Sequence, residues 1–457
     1  MKRLMLFSFI AFFILTGCLD EESLDTDPSL QLSFSADTVI FDTLLTARRS
    51  ITKRLRIYNQ NNGAVEISSL RLGKGDSSPF RFTANSFSGP GLEGLTISGG
   101  DSLLILVEVT IDPEDLSLPY LVKDSLVVRW NSNQEDIKLV AWGQDANFVD
   151  REVLCDETWT SEKPYVITKD LLVDSLCTLT MEPGTKVYLD NGVRLLIAGS
   201  LLVRGDTANP VTIRNSRFDE NYLEAPGQWD GIYFLEGSNA NHIQQAIIEN
   251  GQIGLRLGTP DADDDPDLIV QNTIIRHMSQ SAVQAFTSDL AAINCLFFNS
   301  GNPLLFHAAG GNYGYEHCTI ANSPNFFVTD EPAVLFADNL TLSNNQQLIE
   351  PLNISMKNCI IYGRNNQELL VSLVAPGESN LHFNSNLITS DQEITGNLSS
   401  TEINFPGFVS PAGFNYKLDS LSVAIDASFN SSQAFDLEGR VRDDHPDIGA
   451  FEYQKNQ

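Results

Sequence analysis

The chain has 457 residues and is 42% hydrophobic, enough apolar content for a sizeable core and, at this length, for two domains. Lysine and arginine number 29 against 59 aspartate and glutamate, a formal net charge of −30. That balance argues against a sequence-independent nucleic-acid binder, which needs basic side chains to displace phosphate counterions.

The N-terminus, MKRLMLFSFIAFFILTGC, places Lys2 and Arg3 before an apolar run to Leu15 and ends Leu15-Thr16-Gly17-Cys18. A basic start followed by a short apolar stretch reads as an export signal, not as a span of the mature protein. Its last four residues resemble a bacterial lipobox. The resemblance implies a signal peptide over 1–17 and acylation of Cys18. Several acyl chains would hold the protein at a membrane, because each buried methylene contributes about 0.8 kcal/mol. Residues 18–29 then form an acidic, flexible tether. Within it Leu19-Asp20-Glu21-Glu22 resembles the surface-export signal of Bacteroidota lipoproteins, which implies an outer-membrane anchor facing the cell surface.

From Leu30 the pattern becomes short alternating segments: LQLSFS, RLRIYN, VEISSLRL, FRFT, LLILVEVTI, DSLVVRW and IKLVAWG. Turn signals such as Asn61-Asn62-Gly63 and Ser98-Gly99-Gly100-Asp101 separate them. Short strands in this succession, with no helical period, predict an immunoglobulin-like β-sandwich over 30–147. The order RLRIYNQNNGAVEISSL, a Phe-rich strand, GGDSLLILVEVTIDPED, DSLVVRW and LVAWGQDA resembles the Ig-like domains of the spindle-protein and hydin type. That resemblance implies a spacer or adhesive module and assigns no catalysis.

From residue 148 onward, Glu182-Pro183-Gly184-Thr185 and Ala198-Gly199-Ser200 punctuate alternating strands, as needed where the chain turns and backbones come close. Trp159 and Tyr165 are expected to pack in an N-terminal cap. Between about His242 and Ile388 one phrase keeps returning: QAII, NTII, NCLF, HCTI, NCII, SNLI. It stacks Ala246, Thr273, Cys295, Cys318, Cys359 and Asn386 in one column and Ile248, Ile275, Phe297, Ile320, Ile361 and Ile388 in another. The steps in the second column are 27, 22, 23, 41 and 27 residues. Four are single repeats, and the long one is two repeats or one repeat with an insertion. A unit this small cannot bury its own apolar face and is stable only when neighbours stack. The expectation is an all-β chain whose residues 148–457 form a right-handed parallel β-helix with N- and C-terminal caps.

NSRFDENYLEAPGQWDGIYF and GGNYGYEHCTIANS, together with the repeated phrase, resemble a group of Bacteroidota β-helix surface lipoproteins without an assigned biochemical role. The closing DLEGRVRDDHPDIGAFEY resembles the C-terminal motif of the choice-of-anchor Q group, which Asp436, Gly439, Arg440, Asp447 and Gly449 match. A carboxylate–guanidinium pair there could tie a last loop across the open end of the helix while Ile448 and Phe451 cover the core.

With Cys18 set aside, Cys295, Cys318 and Cys359 share the repeat column and read as buried free thiols. Cys155 and Cys177 lie before the repeat and form a candidate disulfide in an exported protein. Many enzymes of this architecture cleave acidic polysaccharides with Asp-bound calcium and a basic residue. The nearest counterpart is Asp261, Asp263, Asp264, Asp265 and Asp267, which could hold Ca2+ through oxygen ligands. The stretch lacks an EF-hand glycine and reads more simply as a solvated side loop, so no cofactor is assigned. The six histidines show no metal-binding spacing, and His317 stands where Asn272, Asn294 and Asn358 stand in other copies. Arg217, Asp219 and Tyr222 could bind a sugar, or close a loop over the Gly227-Gln228-Trp229 corner. Asp-(Ser/Thr)-apolar tripeptides, among them Asp124-Ser125-Leu126, Asp174-Ser175-Leu176 and Asp419-Ser420-Leu421, resemble the O-glycosylation sequon of Bacteroidota exported proteins. Together these features predict a non-catalytic outer-membrane lipoprotein that acts as a binding or scaffold module for glycan or an outer-membrane protein assembly. The alternative is a carbohydrate-active enzyme, a polysaccharide lyase or glycoside hydrolase.

Overall fold

The computed structural model describes residues 23–258, 266–301, 303–322, 327, 330–402 and 405–454. Cys18 and the rest of the leader lie outside the described residues. The chain is all-β and divides between Asp145 and Ala146 into two compact units. The division precedes the expected one because Asn147–Val149 already pairs in parallel with Tyr165–Ile167 of the second unit.

In the first unit, alternation places one side of each strand in a shared core. Ser102–Val109 buries Leu103, Ile105, Val107 and Val109 and leaves the intervening residues half-buried. Two sheets contribute to that core. One is antiparallel in the order Ser33–Phe34, Lys53–Tyr58, Ser102–Val109, Phe80–Ala84, Phe87–Gly89. The other is built around the hairpin Tyr120–Trp130 and Asn133–Gln144, flanked by Thr38–Leu45 and Val65–Leu72. Asn131 and Ser132 turn the hairpin with φ of 43° and 68°, the left-handed pair that a two-residue turn of this hand requires. The end of the expected tether belongs to this unit. Leu24 bridges Ala64, and the Asn131 amide donates to the carbonyls of Asp25 and Asp27, so paired backbone holds a stretch that composition reads as free.

The second unit is built from parallel ladders to which each repeat contributes strands in the same order. The first ladder runs from Asn147–Val149 to Leu398–Ser400 through eleven strands. The second runs from Val153–Leu154 to Leu369–Ser372, and the third from Glu157–Trp159 to Asn380–Asn384. The long strands Ser281–Ile293 and Leu305–Glu316 cross both of these and join them in one sheet. Ile248, Ile275, Phe297, Ile320, Ile361 and Ile388 pair in succession and are fully buried. Because Ile320 pairs directly with Ile361, the long step is one repeat with an insertion, which includes the hairpin Asn339–Thr341 with Gln347–Ile349.

A corner precedes six successive strands of the first ladder, from Ala246–Glu249 to Leu387–Thr389. Gln245, Asn272, Asn294, His317, Asn358 and Ser385 take φ between 48° and 55° there, a conformation asparagine tolerates well. His317 is thus a corner residue, its Nε2 bonded to Ser431 Oγ at 2.7 Å. The next position is buried throughout, and Thr273 Oγ1 donates to the carbonyl two residues back at 2.9 Å. The thiols of Cys295, Cys318 and Cys359 make the same bond at 3.2, 3.5 and 3.3 Å. At the start of the unit Trp159 is buried and stacked on Tyr165 at 4.4 Å. Cys155 and Cys177 are joined by a disulfide across a Cα separation of 4.8 Å. Asp156 lies beside them, but a bonded pair has no thiolate to offer a metal.

The C-terminal segment departs from expectation in place and in partner. Instead of crossing an open end, it lies along the outer side of the first ladder. Phe408, Tyr416, Leu437, Ile448 and Phe451 cover Leu296, Phe298, Ala321, Ile360 and Leu387 there. Its anchors reach several repeats: Gln245 Nε2 to Leu437 O, Asn294 Nδ2 to Phe435 O, and Gly449 N to Asn358 O. The buried guanidinium is that of Arg442, which donates to Glu452, to the carbonyls of Asp447 and Gly449, and to Asn294 Oδ1. Arg440 instead pairs with Glu438 at 2.8 Å. Asp436 accepts the backbone N–H groups of Glu438, Arg440 and Glu452, and Asp447 those of Asp426 and Tyr453. Gly449, at φ 96°, packs so closely on Ile360 that an added Cβ would come within 2.7 Å of its Cδ1. Gly439, at φ 77°, is less confined, since an added Cβ would lie 3.1 Å from Thr207 Oγ1.

Candidate functional site

The third ladder faces outward with a repeating set of side chains. Asp289, Asn312, Asn353 and Asn380 occupy one column, because each pairs with the next through the parallel register. Asn312 Nδ2 donates to Asp289 Oδ1 at 2.7 Å, Asn353 Nδ2 to Asn312 Oδ1 at 2.7 Å, and Asn380 Nδ2 to Asn353 Oδ1 at 2.8 Å. An amide with two donor hydrogens and two acceptor lone pairs spends one of each inside such a chain. Each internal amide therefore keeps one donor and one acceptor for a ligand.

The neighbouring column is Ala291, Gly314, Ser355 and His382, whose small members leave a groove of about 460 Å³ between flanking side chains. On its far side Lys357 pairs with Glu316 at 3.8 Å. Of the acidic stretch, Asp261, Asp263, Asp264 and Asp265 lie outside the described residues. Asp267 is buried at the groove's end, where Oδ2 accepts the backbone N–H of Asp289 at 2.9 Å. It serves there as a backbone acceptor, which the loop reading did not foresee.

Arg217, Asp219 and Tyr222 do come together. The Arg217 guanidinium lies 3.4 Å from the centre of the Tyr222 ring and 3.5 Å from Asp219. Arg217 and Tyr222 border a polar depression of about 580 Å³ with Asp190, Asn215 and Gln228, which Asp219 does not line. The side chains of Arg217, Asp219 and Tyr222 meet one another, and the loop is fastened by Asn215 Nδ2, which donates to the Tyr222 carbonyl, and by Asn250 Nδ2, which donates to the carbonyls of Leu223 and Ala225. The arrangement closes the corner where Trp229 is buried and donates to Glu249 O at 2.8 Å.

The interior polar groups are structural. Burial pushes the imidazoles of His277, His307 and His317 down to about 3. His307 Nε2 is bonded to the Tyr315 hydroxyl at 2.6 Å. Burial also pushes the Cys295 and Cys318 thiols well above their ordinary range, so they are poor nucleophiles. Burial raises the Glu368 carboxyl, which accepts the backbone N–H of Ala333 and of Asn365. Among the Asp-Ser/Thr tripeptides, Ser175 and Ser420 stand exposed in turns, followed by Leu176 and Leu421 at 100% and 88% exposure.

The amide column was missed by motif reading, although a signal for it is present. Asp289, Asn312, Asn353 and Asn380 stand 23, 41 and 27 residues apart. These are the steps from Phe297 to Ile320, Ile361 and Ile388.

No family model and no curated protein matches the chain. Solved structures with some likeness include a family 123 glycoside hydrolase from Clostridium perfringens, 9% identical, over 29% of this chain and 30% of that one, with a TM-score of 0.21. An ASH/PapD-like domain of human CEP192 is 12% identical over 27% of this chain and 89% of that one, TM-score 0.18. The catalytic domain of a family 87 α-1,3-glucanase, in complex with nigerose, is 10% identical over 74% of this chain and 82% of that one, TM-score 0.19. Likeness at these scores carries nothing over to the present chain.

Proposed function

We propose that the chain is an exported, lipid-anchored, non-catalytic glycan-binding protein of the outer membrane, facing the cell surface. In this reading the first unit is an Ig-like sandwich of the spindle-protein and hydin type. The second is a right-handed parallel β-helix of the Bacteroidota lipoprotein group with a choice-of-anchor Q-like C-terminus. Two sheets around one core support the first assignment. Ladders fed in constant order support the second, since crossovers between parallel strands are almost always right-handed. Ser175 and Ser420 are the proposed O-glycosylation sites, being exposed copies of the tripeptide.

The observation that carries the binding function is the amide column of Asn312, Asn353 and Asn380. Strands about 4.8 Å apart present a donor and an acceptor at each step, a period close to one residue of an extended sugar chain. Hydrolysis of a glycosidic bond ordinarily uses two carboxyl groups, one as acid and the other as base or nucleophile. Asp267 and Asp289 are instead engaged by backbone and amide donors. The full chain on a glycan array should bind at least one polymer. Asn312→Leu combined with Asn353→Leu should weaken that binding at least tenfold without changing the melting point. Unchanged binding by the double variant would remove the groove from the function. Calcium-dependent release of unsaturated products from uronic-acid polymers, abolished by Asp263→Asn with Asp265→Asn, would establish a lyase instead. The anchor is tested separately: Cys18→Ser should move the protein from the membrane to the soluble fraction, and continued sedimentation would refute lipidation.

A further inference from the structure

The outward side of the second ladder carries a different surface. Tyr233, Arg256, Gln284, Phe306, Leu335 and Leu370 follow one another through its register. The Arg256 guanidinium lies 5.3 Å from the centre of the Tyr233 ring and 5.6 Å from that of Phe286. Phe286 meets Phe306 edge-on at 5.9 Å, and the Tyr233 hydroxyl donates to Asp230 at 3.0 Å, so both rings are held. A pocket of about 510 Å³ opens here, with Arg256 and Glu236 both on its border. The chain has twice as many acidic as basic side chains, yet among the described residues no ion pair engages Arg256 or Glu236.

We propose that this pocket is a saccharide site for a neutral pyranose ring. Tyr233 and Phe286 receive its C–H face, and Arg256 and Glu236 receive its hydroxyls. The chemistry of the border selects this ligand. A carboxylate ligand would meet Glu236 at short range, and an ammonium ligand would meet Arg256. An apolar protein surface seated here would strip water from both charges without pairing them. A polyol offers each hydroxyl as donor and acceptor together, so it satisfies a guanidinium and a carboxylate held apart over an aromatic floor. The rings also hold the guanidinium in place by cation–π attraction before the ligand arrives. The site is on another ladder from the amide groove and does not depend on that groove binding anything.

The test is native electrophoresis of the full chain through gels containing hydroxyethyl cellulose, xyloglucan, galactomannan or dextran, with pectate as the acidic comparison. At least one neutral polymer should retard the protein. Phe286→Ala and Arg256→Gln should each weaken the retardation at least tenfold. Arg256 is exposed, so its variant decides the matter if Phe286→Ala does not fold. Absence of retardation by every neutral polymer would overturn the proposal. So would wild-type retardation of both pocket variants, or loss only in the asparagine double variant, which would assign all binding to the groove. Stronger retardation by pectate, abolished by Arg256→Gln, would overturn it in favour of an anion site.

Discussion

At the scale of single residues, the corner and the column behind it show how one position is fixed by two demands. The corner needs a left-handed backbone, which Asn272, Asn294 and Asn358 supply, and which His317 adopts with Ser431 as side-chain partner. The next position is buried and takes a small side chain, which at Thr273 and Cys295 returns one hydrogen bond to the carbonyl two residues back. Replacing Cys295 with Asp puts a carboxylate into the fully buried stack between Thr273 and Cys318, beside the carbonyl oxygens of Val270 and Ile293, the Cys318 thiol and the Thr273 backbone, where burial opposes the charged form. The expected cost is about 3–5 kcal/mol, read as a lowered midpoint for the second unit in denaturant. Cys295→Ser should cost far less, because the hydroxyl can make the same bond. Equal destabilisation by the two would mean that volume, not charge, governs the column.

At the scale of elements, the repeat was legible because apolar side chains recur at fixed steps and a slip of one residue would turn them outward. The flank was less so. The first ladder is buried on both faces where the C-terminal segment covers it, and Leu296, Phe297 and Phe298 are all inside. A continuous apolar run is the mark of such a strand. The run was visible in CLFF and CII, but nothing in it says which distant segment supplies the cover. The amide column failed for the opposite reason: single asparagines in separate strands look like turn residues until the register aligns them. The same limit explains the exchange of Arg440 for Arg442. Residue type predicts a guanidinium tie, whereas burial decides which of two arginines makes it, and the Arg442–Glu452 pair has side chains only 1% and 4% exposed. Arg442→Met should therefore cost about 3–5 kcal/mol by leaving Glu452 buried without its partner. Adding Glu452→Gln should restore part of the loss, measured by thermal melting. A double variant no better than Arg442→Met would show that the tie acts through its hydrogen bonds to Gly449, Asp447 and Asn294 alone.

At the scale of the whole molecule, the two units differ in how they should respond to acid. Every histidine of the chain lies in the second unit, beyond residue 145. Burial holds His277, His307 and His317 near 3, below the ordinary 6.5. A base whose folded pKa is depressed stays neutral in the native state while the unfolded chain takes up its proton. Its contribution to stability is therefore complete above pH 6.5 and is lost progressively as the pH falls toward 3. Three such groups set a limiting slope of about 4 kcal/mol per pH unit. Burial raises Glu368, Asp447 and Glu452, which gives the opposite contribution, since the native state holds those protons to higher pH than the unfolded chain. That offset acts from the ordinary carboxyl range up to their raised values, so the histidine slope should be clearest in the upper part of the window. Calorimetry from pH 7 to 5 should show the melting transition of the second unit falling while that of the first hardly moves. His317→Asn, which places at this corner the residue three other corners already use, should remove up to about one third of the slope while preserving the backbone, His242 being depressed by burial as well. Parallel decline of both transitions, or an unaltered slope in His317→Asn, would mean that the buried imidazoles do not control acid stability.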